Sequence, residues 1–242
     1  MTLRVRPERL ERDPTRPLPC FTAAVQWALL APLEPRTREE FLGLARTREF
    51  ARNEVICHVG DPGDALHLVE RGHLAVRGVM ATGATVTFNI LSPGDYFGEL
   101  ALLRPDHRRT ATVVALEASR TLSVAGSAFT ALCSRNPRLE RVLSMLLADR
   151  VEALSQRLLE TMYDSLDRRV LRRLIELAAT YGSDEGSVVI PLSQAQLADL
   201  VGATRPSVNM VLQRLADQAT VALGRSRIEV RDLPGLARRA RH

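Results

Sequence analysis

The sequence predicts an α+β chain: an N-terminal β-roll (jelly roll), one long helix and a C-terminal winged helix-turn-helix. Three observations carry this. From about Asn53, short runs alternate apolar and polar residues between Gly, Pro and Asp turns. After Asn136-Pro137 the apolar period becomes helical and holds for about 25 residues. The last third then places a capped helix, a glycine turn, a second capped helix and a short hairpin in that order.

Composition sets outer bounds. The 242 residues, 45% hydrophobic and 25% charged, suit one large globular domain or two small ones. The longest apolar run near the N-terminus, residues 27–33, already contains Pro32, against the ~20 apolar residues a membrane span needs. No basic stretch followed by an apolar core opens the chain, so neither membrane nor leader is expected, and the cytoplasm is the expected compartment. Cys20, Cys57 and Cys133 are scattered, which argues against a disulfide framework, a zinc site or an iron–sulfur cluster, and no metal site is expected. All 33 basic residues are Arg, a usage read as GC-rich coding rather than function. Residues 163–242 hold 12 Arg against 9 acids, the most basic part of the chain, which permits a nucleic-acid partner.

Element by element, residues 1–20, with five Arg and four Pro, read as a disordered tail. Helical stretches are expected at 23–30 and at 38–45, where Phe41, Leu42 and Leu44 are the apolar positions. In the roll, Val86, Phe88 and Ile90 alternate with Thr85, Thr87 and Asn89; Leu74 with Val76 and Leu122 with Val124 repeat the pattern. Turns fall at residues 60–63, at Arg71-Gly72, at Thr82-Gly83 and at 93–95. Leu143, Leu147, Val151, Leu154, Leu158 and Met162 form one stripe at intervals of three and four, long enough for a coiled-coil seam, and point to a dimerisation helix. A helix packed only on its own domain is the plainer alternative. A further stripe, Val170 to Ala178, ends before Tyr181-Gly182; a polar loop follows, then an edge-type strand at 188–190. The expected boundaries are therefore a sensor domain at 21–135, a dimer helix at 136–163 and a nucleic-acid-binding domain at 164–242.

Two motifs carry chemistry. In the first, Ser193 with Gln196 makes a capping box, Ala198 and Gly202 allow close helix crossing and a tight turn, and Val208 and Val211 face inward. Thr204 caps the second helix, with Pro206 in its first turn. Arg205, Ser207, Asn209 and Gln213 then lie on its outer side, where Arg can pair with guanine and Asn with adenine in a major groove. Ser193 and Gln194, at the start of the first helix, and Thr204, at the start of the second, join this DNA-facing set. Arg225 and Arg227 form a basic hairpin tip suited to phosphates. In the second motif, Gly98 allows close backbone approach, Glu99 can accept from a ribose hydroxyl, Arg109 can neutralise a phosphodiester, Thr110 adds a donor, and Leu100 stands beside them.

Over about residues 25–235 the chain resembles the Crp/Fnr family. The residues that carry the resemblance are Pro93-Gly94-Asp95, the Phe97–Leu100 run, Arg109-Thr110, Asn136-Pro137, the stretch 167–174 and Gly202-Ala203-Thr204-Arg205. The resemblance implies a cyclic-nucleotide-binding β-roll, a homodimer, double-stranded DNA with a pseudo-palindromic operator, and RNA polymerase as a further partner. It implies no tightly bound cofactor but an effector, with cyclic AMP (cAMP) leading. It also places Leu154-Ser155 where members that respond to cAMP hold a Thr-Ser pair against adenine; Ser155 is kept and Leu154 lacks the hydroxyl. The family's Arg-Glu-x3-Arg reading set stands here as Arg205-Pro206-x3-Met210, so a different operator is expected.

Other readings remain on the same scaffold. One is a regulator that needs no effector; another is a redox or gas sensor with haem held by Cys57, His67 or His73. No nucleophile–base set is visible, and an enzyme is not expected.

Overall fold

A computed structural model describes residues 25–182 and 187–240. The expected tail, Cys20 and residues 183–186 of the polar loop lie outside these. Within residues 23–30, the described part is not a helix. Residues 28–33 form successive turns, closed by the Leu30 and Ala31 N–H groups donating to the Trp27 carbonyl. Pro32 and Pro35 disfavour helical backbone in the residues before them. Burial holds the segment instead: Trp27 donates Nε1–H to the Val69 carbonyl at 2.8 Å, seating Leu29 and Leu30 under the roll. The next helix, α1 (Pro35–Gly43), starts three residues earlier than expected, because proline suits a first helical turn.

The roll comprises β1 (Arg46–Phe50), β2 (Val55–Cys57), β3 (Ala65–Arg71), β4 (Leu74–Val79), β5 (Thr85–Leu91), β6 (Tyr96–Phe97), the short helix α2 (Glu99–Leu103), β7 (Thr112–Ala115) and β8 (Ser119–Ala125). They form two antiparallel sheets, ordered β1-β8-β3-β6 and β2-β7-β4-β5. Phe50, Val69, Leu74, Val76, Leu91, Phe97 and Val113 make one buried cluster of the roll. The first half of β4 is buried on both faces: Leu74 and Val76 belong to that cluster, while Ala75 between them belongs to the core of the C-terminal domain.

Strand β5 departs from its period-two expectation. Thr87 is 3% exposed, whereas Phe88 is 43% exposed. The reason is tertiary. This edge strand lies against the C-terminal domain, and the Thr87 N–H donates to the Asp199 carboxylate at 3.1 Å.

Helices α3 (Gly126–Arg135) and α4 (Pro137–Tyr163) follow. The expected single stripe of α4 divides in two. Leu139 and Leu143 are buried on the roll, with Leu146 and Leu147 packed beside them. Beyond Arg150, however, Val151, Leu154, Leu158 and Met162 are all more than half exposed.

The C-terminal domain holds α5 (Leu166–Tyr181), β9 (Val188–Ile190), α6 (Gln194–Val201), α7 (Arg205–Asp217), β10 (Val221–Gly224), β11 (Arg227–Val230) and α8 (Leu233–Ala240). Its sheet order β10-β11-β9 puts β9 at an edge, as expected. Both bonds of the Ser193–Gln196 capping box are present. Gly202 takes φ 65° at the turn, and the Thr204 hydroxyl accepts from the Ser207 N–H at the start of α7. Ala198, Val208 and Val211 are buried where the helices cross.

Candidate effector pocket and nucleic-acid interface

Strand β6 leads into Gly98, whose φ of 98° turns the chain into α2. A Cβ there would lie 2.2 Å from the Arg109 Nη1 and 2.6 Å from the Ala65 carbonyl oxygen, so the position admits only glycine without rearrangement. Arg109 is fixed through its backbone, which exchanges hydrogen bonds with the 60–61 turn: its N–H donates to Asp61 O and its carbonyl accepts from Gly60 N–H. Gly98, Glu99, Leu100, Arg109 and Thr110, the five roll residues expected at this site, all line one pocket. The pocket encloses about 420 Å³ of empty space, part of it open to solvent.

Its electrostatics are asymmetric. Glu99 is 1% exposed, and burial raises its carboxyl above the usual carboxylate range, an effect opposed by Arg150 and Arg109. Arg150 donates to the Glu99 Oε1 at 2.9 Å. Arg109 is buried too, but its nearest carboxylate, Asp64, is 3.9 Å away, and its Nε and Nη1 have no hydrogen-bond partner. A buried cation with two unused donors costs stability unless an anion completes it. With Arg109, Arg150 and Glu99, the pocket carries one net positive charge, which matches a phosphodiester monoanion.

Leu154 and Ser155 are not brought to this pocket. Both are exposed on α4 beyond Arg150, and the Ser155 hydroxyl donates back to the Val151 carbonyl at 2.9 Å. The residue that the sequence reading missed is Arg150. It continues the roll-facing row Leu139, Leu143, Leu146 at helical spacing. A lone cation on that row was the available signal.

Both histidines of the sensor alternative are engaged in other contacts, while Cys57 lines the pocket itself. His67 stacks on Phe97, with centroids 4.7 Å apart, and pairs with the Thr121 hydroxyl at 3.1 Å. His73 contacts the Glu117 carboxylate at 2.6 Å and packs against Tyr181. Burial pushes the Cys57 thiol up, away from reactive thiolate character. Among the described residues no group of three or more metal-ligating side chains occurs, and no helix is long and apolar enough to cross a membrane.

On the C-terminal domain, Arg205 and Gln213 are exposed on α7, and Arg225 and Arg227 are exposed at the hairpin tip. Three expected contacts are more constrained. Ser193 is used in its capping box, Ser207 shares a 2.8 Å hydrogen bond with the Thr204 hydroxyl, and the Asn209 Oδ1 is buried without a partner. Gln194 is half-buried.

A nucleotide-binding type of roll joined by a long helix to a winged helix-turn-helix defines a DNA-binding transcription regulator. The chain matches the cyclic nucleotide-binding domain over residues 47–136 and the Crp-like helix-turn-helix domain over residues 168–239. It is 30% identical over 201 residues to the cyclic AMP receptor protein of Thermus thermophilus, covering 83% of this chain and 90% of that one. It is 29% identical over 196 residues to the CRP-like cAMP-activated global transcriptional regulator of Mycobacterium tuberculosis, covering 80% and 87%. Among solved structures, FixK2 of Bradyrhizobium japonicum superposes with a TM-score of 0.70 at 19% identity, over 80% of this chain and 96% of that one. The catabolite activator protein of Thermus thermophilus gives 0.51 at 29% identity, over 88% and 98%. The chain belongs to the Crp/Fnr family of transcription regulators, and its relatives are regulators, not enzymes.

Proposed function

We propose that the protein is a homodimeric, sequence-specific regulator whose DNA binding is controlled by a cyclic nucleotide in the roll. The observation that carries this is Arg109: buried, two donors unused, facing the same pocket as the buried Glu99. The phosphodiester completes Arg109, a ribose hydroxyl donates to Glu99, and Thr110 adds a polar contact. Two relatives bear names that tie them to cyclic AMP, and cAMP leads the candidates here. Dimerisation is supported by α4, because Val151, Leu154, Leu158 and Met162 would otherwise stay in water. Leu154 then serves the seam rather than a base contact, and Ser155 approaches the effector only within the dimer. Arg205 reads a base, Arg225 and Arg227 hold phosphates, and RNA polymerase is the partner at the promoter.

Gel-shift titration of operator DNA with and without cAMP, cyclic GMP and cyclic di-GMP, alongside sedimentation, tests this reading. A dimer whose operator affinity rises with one nucleotide supports it, and Val151→Asp with Leu158→Asp yields monomers that no longer bind operator. Equal affinity with and without every nucleotide favours the effector-independent alternative, and a wild-type monomer with DNA present contradicts the dimer.

A further inference from the structure

Over its first two turns, the outermost line of the recognition helix is apolar. At about 100° per residue, Val208, Val211, Leu212 and Leu215 define the buried side of α7. Directly opposite lie Pro206, Met210 and Gln213, while Arg205 and Asn209 fall toward one edge. Side-chain exposure agrees: Met210 is 65% exposed, Pro206 is exposed, and Asn209 is only half-exposed with its Oδ1 turned inward. The middle of the first two turns therefore presents a proline ring and a thioether chain, about 6 Å apart along the axis. No hydrogen-bonding group stands between them.

We infer that Met210, supported by Pro206, is a specificity-determining residue that selects thymine through its C5-methyl group. This rests on α7 being the base-reading helix. In the major groove the thymine methyl is the apolar group on an otherwise polar set of base edges. A methionine tip pressed on the donors and acceptors of a G·C edge would strip their water and return no hydrogen bond, whereas against a methyl it buries apolar surface. The surroundings fit a groove: Arg205 stands at the N-terminal end, and the basic hairpin tip is on the same domain. Methionine's flexible, unbranched chain suits such contact. The operator half-site accordingly carries one or two thymines beside the base that Arg205 reads.

The test combines selection from unmodified random DNA with a methyl deletion, each with and without saturating cAMP. Wild-type protein selects a symmetric thymine whose preference disappears in Met210→Ala and persists in Met210→Leu. Replacing that thymine by deoxyuridine weakens wild-type binding about 4-fold per half-site, or about 16-fold for both, and leaves Met210→Ala unchanged. Met210 is on the surface, so thermal melting of both variants should match wild type. Identical consensus from wild type and Met210→Ala, or equal binding of thymine and deoxyuridine sites, overturns the inference. If Arg205→Ala shifts the consensus while Met210→Ala does not, α7 reads bases but not through the methyl; if neither does, base reading by α7 itself fails.

Discussion

Arg150, on the long helix, donates to the buried Glu99 carboxylate in the roll at 2.9 Å. The contact ties the helix bearing the exposed apolar seam to the acid expected to hold a ribose. Arg150 is about one-third exposed and Glu99 is enclosed, so the pair straddles the pocket mouth. Arg150→Ala leaves a buried carboxylate without its donor and should destabilise the ligand-free protein by about 1–3 kcal/mol at neutral pH. Burial already raises the Glu99 carboxyl, so the deficit should shrink as acidification protonates it. Glu99→Gln in the same chain should recover much of the loss. Urea unfolding of the single and double variants at two pH values checks this.

Gly98 and Arg109 occupy space that a side chain would contest. Gly98→Ala forces a methyl to 2.2 Å from the guanidinium at a φ of 98°. Strained backbone of this kind costs on the order of 1–3 kcal/mol. Denaturant melts should show that loss, and nucleotide binding should disappear with it because Arg109 must move.

His67 predicts acid sensitivity. Burial, with Arg109 and Arg48 nearby, holds its imidazole down at about 4 from an ordinary 6.5. The unfolded chain therefore binds the proton more readily between those values. Stability from this residue is complete above about pH 6.5 and is lost as pH falls toward 4, by roughly 3 kcal/mol. His67→Gln cannot titrate and can still pair with the Thr121 hydroxyl. Its unfolding free energy should lose about that much less across the same window.

Arg225 and Arg227, at the hairpin tip, should act on all DNA alike. Replacing either by Ala should weaken specific and random duplexes in parallel and flatten the plot of log affinity against log salt. A changed consensus sequence would assign them to base contact instead.

What was legible in the sequence was local chemistry. The Ser193–Gln196 box, the Thr204 cap and the turn glycines specify backbone within a few residues, and each took the expected form. The five roll residues of the pocket were also legible, because one turn and one strand start bring them together. Long-range packing was not. Thr87 is buried and Phe88 exposed because a domain more than a hundred residues away lies on β5. Arg150 turns toward Glu99 because α4 follows the roll for its first half, which a single six-residue stripe concealed. The described part of the expected 23–30 helix is not helical, because Pro32, Pro35 and the Trp27 anchor set its backbone.

The most direct measurement is a calorimetric titration of cyclic AMP into wild-type protein and Arg109→Met, with their melting temperatures. Arg109 is a buried cation with two unused donors, so an apolar residue of similar length should stabilise the ligand-free fold by about 1–3 kcal/mol while removing the phosphate's counter-charge. Wild type should bind saturably and the more stable variant not at all. No heat with wild type at millimolar ligand for cyclic AMP, cyclic GMP and cyclic di-GMP alike, or undiminished affinity in Arg109→Met, would contradict it.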